Sequence, residues 1–300
     1  MTTAAPLYDP PGAPASSIPP TSVDAAGFTH IGRKRKKNED AYLISTLQRS
    51  MLVHDASPEA ARGWFSGEPA GTLLIVADGM GGQGGGDVAS KVAVHTMATY
   101  LLNVMPWATR GETETAGRAS LNGVREELSS ALVAGDSTVK QTGLEVGAPR
   151  MGTTLTAAFV HFPFLYVAHV GDTRCCLFRG GALSRLTTDH TIAQQLADRG
   201  EPMPPASEWH NVLWNSLGGD DSVPQPQIVK ARLEPGDSVF LCSDGLTKHV
   251  SDEEITGILA STASNADRCK QLVELANAKG GSDNVTVVVA TPVPARPNPA

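Results

Sequence analysis

The four cysteines of this 300-residue chain, Cys175, Cys176, Cys242 and Cys269, include no Cys-x-x-Cys pair. That spacing excludes the usual zinc and dithiol redox motifs, and it predicts free thiols in a reducing, cytoplasmic compartment. No apolar run approaches the roughly 20 residues that cross a bilayer, so no membrane span is expected. The N-terminus is Pro-rich and has no apolar core of a secretory signal. Positive charge is also short: the net charge is -7, so nucleic acid is not expected as a partner. The exception is one basic run, Arg33-Lys34-Arg35-Lys36-Lys37, which taken alone reads as a solvated loop. What remains is a chain with 41% hydrophobic residues, enough for a sizeable core in one large domain or two small ones.

The stretch from Leu73 to Gly86 organises that chain. Five apolar residues, Leu73 to Ala77, read as a buried strand, which ends on Asp78. Glycines follow, and from Asp87 the residues Val88, Val92 and His95 repeat at helical spacing. Gly79-Met80-Gly81-Gly82-Gln83-Gly84 fits the dinucleotide fingerprint G-x-G-x-x-G. Two features weigh against it. No acid stands about 20 residues later to hold a ribose, and an Asp directly before the glycines would repel a pyrophosphate. A carboxylate at the end of a buried strand calls instead for a cation.

Residues 1–21 have little to bury and read as a disordered Pro-rich tail. The globular part is expected over 22–291, with a second tail at 292–300. Short strands are predicted at Phe28–Gly32 and Ala41–Ile44, and a surface insertion at Leu47–Gly71. A polar connection, Arg110–Gly117, leads to an amphipathic helix marked by Leu121, Val124, Leu128 and Ala131. Strands at Gly152–Val160, Phe164–Val170, Thr173–Phe178 and Ala182–Leu186 come next, then a helix over Asp189–Arg199. Gly200–Asp221 is rich in Pro and Gly, with Trp209 and Trp214 placed to pack it down. Strands at Gln227–Leu233 and Ser238–Cys242, helices at Asp252–Leu259 and Ala266–Ala278, and a strand at Asn284–Ala290 complete the chain. Strands joined by tight turns, with helices between groups of strands, predict an α+β fold of antiparallel sheets packed face to face, helices outside.

Four acids share one context, a strand giving way to a loop beside glycine: Asp78, Asp172, Asp244 and Asp283. Glu39-Asp40 stands in the equivalent place before a strand. Each alone reads as a turn residue. Together they read as one acidic cluster whose repulsion must be offset by cations. Oxygen-only ligands suit Mg²⁺ or Mn²⁺ rather than zinc. Other hydrolytic routes are missing: no cysteine is followed six residues later by Arg, and no two aspartates stand two positions apart. There is also no Gly-Asn-His-Glu, His-Glu-x-x-His or Gly-Lys-Ser/Thr. A metal-activated water is what remains.

In this order, the motifs Arg35-Lys36-Lys37-Asn38-Glu39-Asp40, Val76-Ala77-Asp78-Gly79-Met80-Gly81-Gly82, Met151-Gly152-Thr153-Thr154, Val170-Gly171-Asp172-Thr173-Arg174, Thr188-Asp189-His190, Cys242-Ser243-Asp244-Gly245-Leu246 and Ser282-Asp283-Asn284-Val285-Thr286 form a specific set. The chain resembles the metal-dependent serine/threonine protein phosphatases of the PPM/PP2C type from about Phe28 to Thr291. That resemblance implies an αββα sandwich, two antiparallel sheets flanked by helices, with a metal cluster at one end. It implies two core Mn²⁺ or Mg²⁺ ions, with Asp78 bridging them and the Gly79 carbonyl binding one. Glu39 would be a ligand on one side, and Asp244 with Asp283 on the other. Asp172, with Asp244, would hold a third, weaker ion. Asp40 would orient water, and Arg35 would grip the substrate phosphate.

Met80 stands where the animal branch has a histidine proposed as general acid, and it matches the bacterial branch. His190 is either an alternative donor or a structural residue capping its helix. Gly152-Thr153-Thr154 and Arg174 read as structural. The segment at about 200–221 matches a flap beside the site, where substrate choice is expected to reside. The resemblance implies a monomeric enzyme acting on phosphoproteins, opposing and dephosphorylating a bacterial Ser/Thr kinase. The alternative is an inactive binding protein that kept the fold, against which intact Glu39, Asp78, Asp244 and Asp283 argue.

Overall fold

The computed structural model describes residues 22–54, 63–81, 84–108, 119–201 and 208–293. Strand Ser22–His30 (β1) leads through the basic loop to Asp40–Val53 (β2) and Gly63–Met80 (β3). Two helices follow, Gly86–Ala108 (α1) and Ala119–Glu145 (α2). Then come Gly152–Thr153 (β4), Leu155–His161 (β5), Phe164–Val170 (β6), Arg174–Arg179 (β7) and Ala182–Arg185 (β8). Helix Ile192–Asp198 (α3) precedes Leu217–Gly218 (β9), Gln227–Arg232 (β10) and Ser238–Cys242 (β11). The chain closes with Asp244–Thr247 (α4), Asp252–Leu259 (α5), Asn265–Ala278 (α6) and Val285–Val293 (β12).

The strands form two sheets, one ordered β1-β12-β11-β7-β8 and one ordered β10-β6-β5-β3-β4-β9, with β2 alongside β3. Every pairing between these named strands is antiparallel. Strand periodicity explains the layering. On β3, Leu73, Ile75 and Ala77 enter a core with α1 and α2, while Leu74 and Val76 enter the core between the sheets. On β12, Val285, Val287 and Val289 pack with Leu272, Val273 and Ala276 of α6, and Val288 and Ala290 face the other sheet. Strands covered on both faces have no polar side to show, hence the unbroken apolar runs. Each large side chain so buried contributes about 1.5–3 kcal/mol. The order helix, sheet, sheet, helix is the αββα sandwich expected from the sequence.

Several expectations change in detail. Much of Leu47–Gly71 is no irregular insertion: β2 and β3 continue as a long hairpin that pairs Met51 with Phe65 and Val53 with Gly63. Register shifts between Leu47 and Ser50 absorb the irregularity that the prolines and glycines signalled. The last strand runs through Val293, two residues into the expected tail. The helix near His190 starts later, at Ile192, and Thr191 caps it by accepting from the Gln194 amide. Trp209 is largely exposed, whereas Trp214 packs with its ring centroid 4.9 Å from that of His190. The N-terminal tail, the polar connection and parts of the insertion, flap and C-terminal tail lie outside the described residues.

Candidate active site

The alternation along β3 fixes where the site must be. Asp78 continues the parity of Leu74 and Val76, so its carboxylate enters the space between the two sheets at the strand's end. Asp40 starts β2 directly opposite Asp78. Thr153 and Thr154 clamp the Asp78 backbone: the Thr154 hydroxyl accepts from the Asp78 amide at 2.9 Å, and the Thr153 hydroxyl and Thr154 amide donate to its carbonyl. This is the structural role expected of that motif. Gly79 is required by close approach, since a Cβ there would lie 2.0 Å from the Gly86 carbonyl oxygen.

The loop carrying Arg35, Glu39 and Asp40 is tied down by Asn284. Its side-chain oxygen accepts from the Glu39 amide, and its amide donates to the carbonyls of Ile31 and Lys37. Ser243 sits at the cap position of α4 but does not cap it. Its hydroxyl donates instead to Asp40 Oδ2 at 2.8 Å, and the Thr286 hydroxyl donates to the same oxygen at 2.6 Å. Asp40 Oδ1 is buried without a partner, as is Asp244 Oδ1.

On the opposite side of the cleft, Lys248 bridges two acids, at 2.5 Å from Asp244 Oδ2 and 2.9 Å from Asp283 Oδ2. Arg35 holds Asp283 with both ends of its fork, Nε at 2.8 Å and Nη2 at 2.9 Å. Lys37, expected to be solvated, pairs with Asp87 in the first turn of α1. Arg174 grips Asp189 with two hydrogen bonds, the ion pair expected beside the cluster.

A cleft of about 250 Å³ collects these groups. Arg35, Glu39, Asp78, Gly79, Asp172, Asp244 and Asp283 all line it. Of the metal-binding, phosphate-binding and water-orienting residues that the resemblance implied, only Asp40 is not part of this lining. Sequence reasoning missed Lys248, and also Asn211 and Leu213 of the flap segment, which complete the lining. Lys248 stands four residues after Asp244, a spacing that would have signalled it had α4 been expected.

Like charges with few cations set the titration of the site. Burial, then repulsion from Asp40, Asp244 and Asp172, pushes the Asp78 carboxyl well above its ordinary value. Burial raises Asp40 to about 7, against the pull of its Thr286 and Ser243 hydrogen bonds. Burial and then Asp244 raise Asp172 to about 7. Burial also raises Asp283, but Lys248 and then Arg35 outweigh it and leave that carboxyl below the usual range.

His190 is not the helix cap. Its Nδ1 accepts from the Gly171 amide and from Asn215, fastening the turn before Asp172 to the flap segment. Burial lowers it to about 4, so at neutral pH it carries no proton to donate from that nitrogen.

An acid-lined cleft between two antiparallel sheets is the arrangement of a family of phosphoprotein hydrolases, and the comparisons identify it. The chain belongs to the protein phosphatase 2C family, whose model matches residues 46–280. It is a protein-serine/threonine phosphatase of the bacterial type, as its named relatives are. Protein phosphatase PhpP of Streptococcus pneumoniae is 33% identical over 267 residues, 88% of this chain and 95% of that one. The serine/threonine protein phosphatase PstP of Mycobacterium tuberculosis is 36% identical over 73% of this chain and 40% of its own. Among solved structures, the Streptococcus agalactiae serine/threonine phosphatase superposes with a TM-score of 0.71 at 26% identity, covering 90% of this chain and 99% of that one. The PstP catalytic domain, solved with two manganese ions, gives 0.66 at 31% identity over 90% and 97%.

Proposed function

We propose that this phosphatase hydrolyses phosphoserine and phosphothreonine in proteins with two core Mn²⁺ or Mg²⁺ ions at the acid-lined cleft and a third held more weakly. The observation that carries this is the condition of the acids. Asp78 is partly buried among carboxylates with no cation in contact among the described residues, and Asp40 and Asp244 each keep a buried oxygen without a partner. An oxygen-only donor set in that state fits a hard divalent cation. Asp78 would serve both core ions and the Gly79 carbonyl one of them, with Glu39 on one side and Asp244 and Asp283 on the other. Asp172, with Asp244, would hold the third. When bound, the cations supply neutralising charge for a phosphoryl group and an acidified water as nucleophile.

The chain's own residues then have separable tasks. Arg35 has a planar fork, is half-exposed at the mouth, and is suited to hold two phosphate oxygens. Asp40, fixed at Oδ2 by two hydroxyls, is left with Oδ1 to orient a water or accept its proton. Met80 has no proton to give, so the leaving alkoxide takes its proton from water or from another group. A monomer is the expected form. Among the described residues no helix is long and apolar enough to cross a membrane. All four cysteines are buried and unpaired, which supports a reducing cytoplasm. The expected substrates are phosphoproteins, a bacterial Ser/Thr kinase among them.

Turnover of a phosphothreonine peptide tests this directly. Exhaustive EDTA treatment should abolish hydrolysis and Mn²⁺ should restore it. Full activity without metal would remove the cation from the reading, and no turnover under any metal would leave the inactive binding protein.

A further inference from the structure

A second cavity, of about 370 Å³, opens beside the catalytic cleft and shares Asp172, Asp244, Lys248 and Asn211 with it. A peptide with its phosphate in the first cleft therefore brings a neighbouring residue to the second. The far end of this cavity is basic. Arg174 and Arg185 both reach it, and both are paired with Asp189. Arg174 alone satisfies that carboxylate, donating Nε to Oδ1 and Nη2 to Oδ2. Arg185 Nη2 adds a third bond to Oδ1. Two guanidinium groups thus meet one carboxylate in the lining, with Asp252 acting on Arg174 from the neighbouring cavity and Asp172 and Asp244 at the shared end. Burial first of all lowers the Arg185 pKa, and the upward pull of Asp189 is larger than the opposing push of Arg174. Lys248 is no spare cation, being committed to Asp244 and Asp283. The helix wall includes Ala193 and Ala197, one turn apart on α3, whose small side chains leave space there, together with Gln194.

We propose that this cavity is a subsite for a second anionic side chain of the phosphoprotein, a carboxylate or a further phosphate near the scissile phosphoresidue, held by Arg185. The guanidinium fork suits either oxyanion. This rests on the phosphatase reading and adds to it a preference for acidic or multiply phosphorylated segments.

The test compares p-nitrophenyl phosphate with matched phosphothreonine peptides carrying Ala, Glu or a second phosphothreonine at neighbouring positions, all with Mn²⁺. The protein should favour an anionic neighbour over Ala by about tenfold in kcat/KM, mainly through KM. Whichever of the Glu and phosphothreonine peptides gains more identifies the oxyanion. Arg185→Gln should reduce the preference to about twofold or less while p-nitrophenyl phosphate turnover stays unchanged. Ala197→Glu, which adds a carboxylate at the rim without touching the arginines, should weaken the same preference. No preference in the unaltered protein, a preference that survives Arg185→Gln, or equal loss on p-nitrophenyl phosphate would each overturn the subsite. If no substrate at all is hydrolysed, the phosphatase reading itself has failed.

Discussion

Asp78 and Asp283 face one cleft from opposite sheets in opposite electrostatic condition. On the β2–β3 side, Asp78 and Asp40 stand across from each other in register, Asp40 buried and Asp78 partly so, with raised pKa values and no cation in contact among the described residues. On the β11–β12 side, Asp244 and Asp283 share Lys248, and Asp283 also holds Arg35. One half carries its counter-charge in the chain. The other is balanced only by protons or by something bound. The difference teaches where a cation is needed most: at Asp78, where like charges face each other across a strand pair and no cation among the described residues is in contact.

The strongest test removes the charge from the uncompensated half. Asp78→Asn keeps the shape and should reduce kcat on a phosphopeptide by about 10³ or more, as loss of a principal electrostatic contribution. The same variant should raise the melting temperature of the metal-free protein, because it deletes an unpaired, partly buried acid. Near-normal turnover would mean that the chemistry is centred elsewhere.

The complementary change is Lys248→Met, in the compensated half. Lys248 competes for the acids proposed to take the cations, so its removal should tighten Mn²⁺ binding about tenfold by calorimetry. It should also lower the metal-free melting temperature by leaving Asp244 and Asp283 less neutralised. Weaker Mn²⁺ binding would assign Lys248 to holding the acids in place.

A smaller effect separates the halves by pH. Asp40 and Asp172 rise to about 7 in the folded chain, above ordinary carboxylates. Over that window the folded state binds more protons than the unfolded state, so stability is lost as pH rises. Asp283, with its lowered value, has already given its contribution at lower pH. The metal-free protein should therefore melt progressively lower from about pH 5 to about pH 8, and saturating Mn²⁺ should flatten the slope. A metal-free melting temperature that climbs over this range would reverse the assignment.

Much of this half-and-half design was legible in the chain. Asp78 could be found because a five-residue apolar run has to be buried and its terminal acid cannot be ignored. Asp244 and Asp283 stand out by the glycine beside each strand end, and Glu39 by its place before a strand. The compensating groups were harder to find. Asn284 holds the Glu39 loop by backbone bonds spanning about 245 to 253 positions, and such contacts leave no local pattern. Lys248 lies just past the motif that names Asp244, at the C-cap of a helix of four residues too short to show periodicity. The hairpin at 47–71 was obscured because its glycines and prolines signal turns wherever they stand, while the bulges that accommodate them depend on the partner strand. His190 was placed one residue from the true cap, Thr191, and its actual partner Asn215 lies 25 residues away.

The arginine that grips Asp283 has a consequence for the order of events. Arg35 cannot give its whole fork to Asp283 and to a phosphate at once, and Lys248 is held in the same way. On the proposed loading, occupancy at these acids frees both side chains toward an incoming dianion. Linkage is reciprocal, so a bound phosphate must then strengthen metal retention by the same factor that metal strengthens phosphate binding. Released inorganic phosphate, the product of every turnover, would thus help to keep the enzyme loaded between substrates.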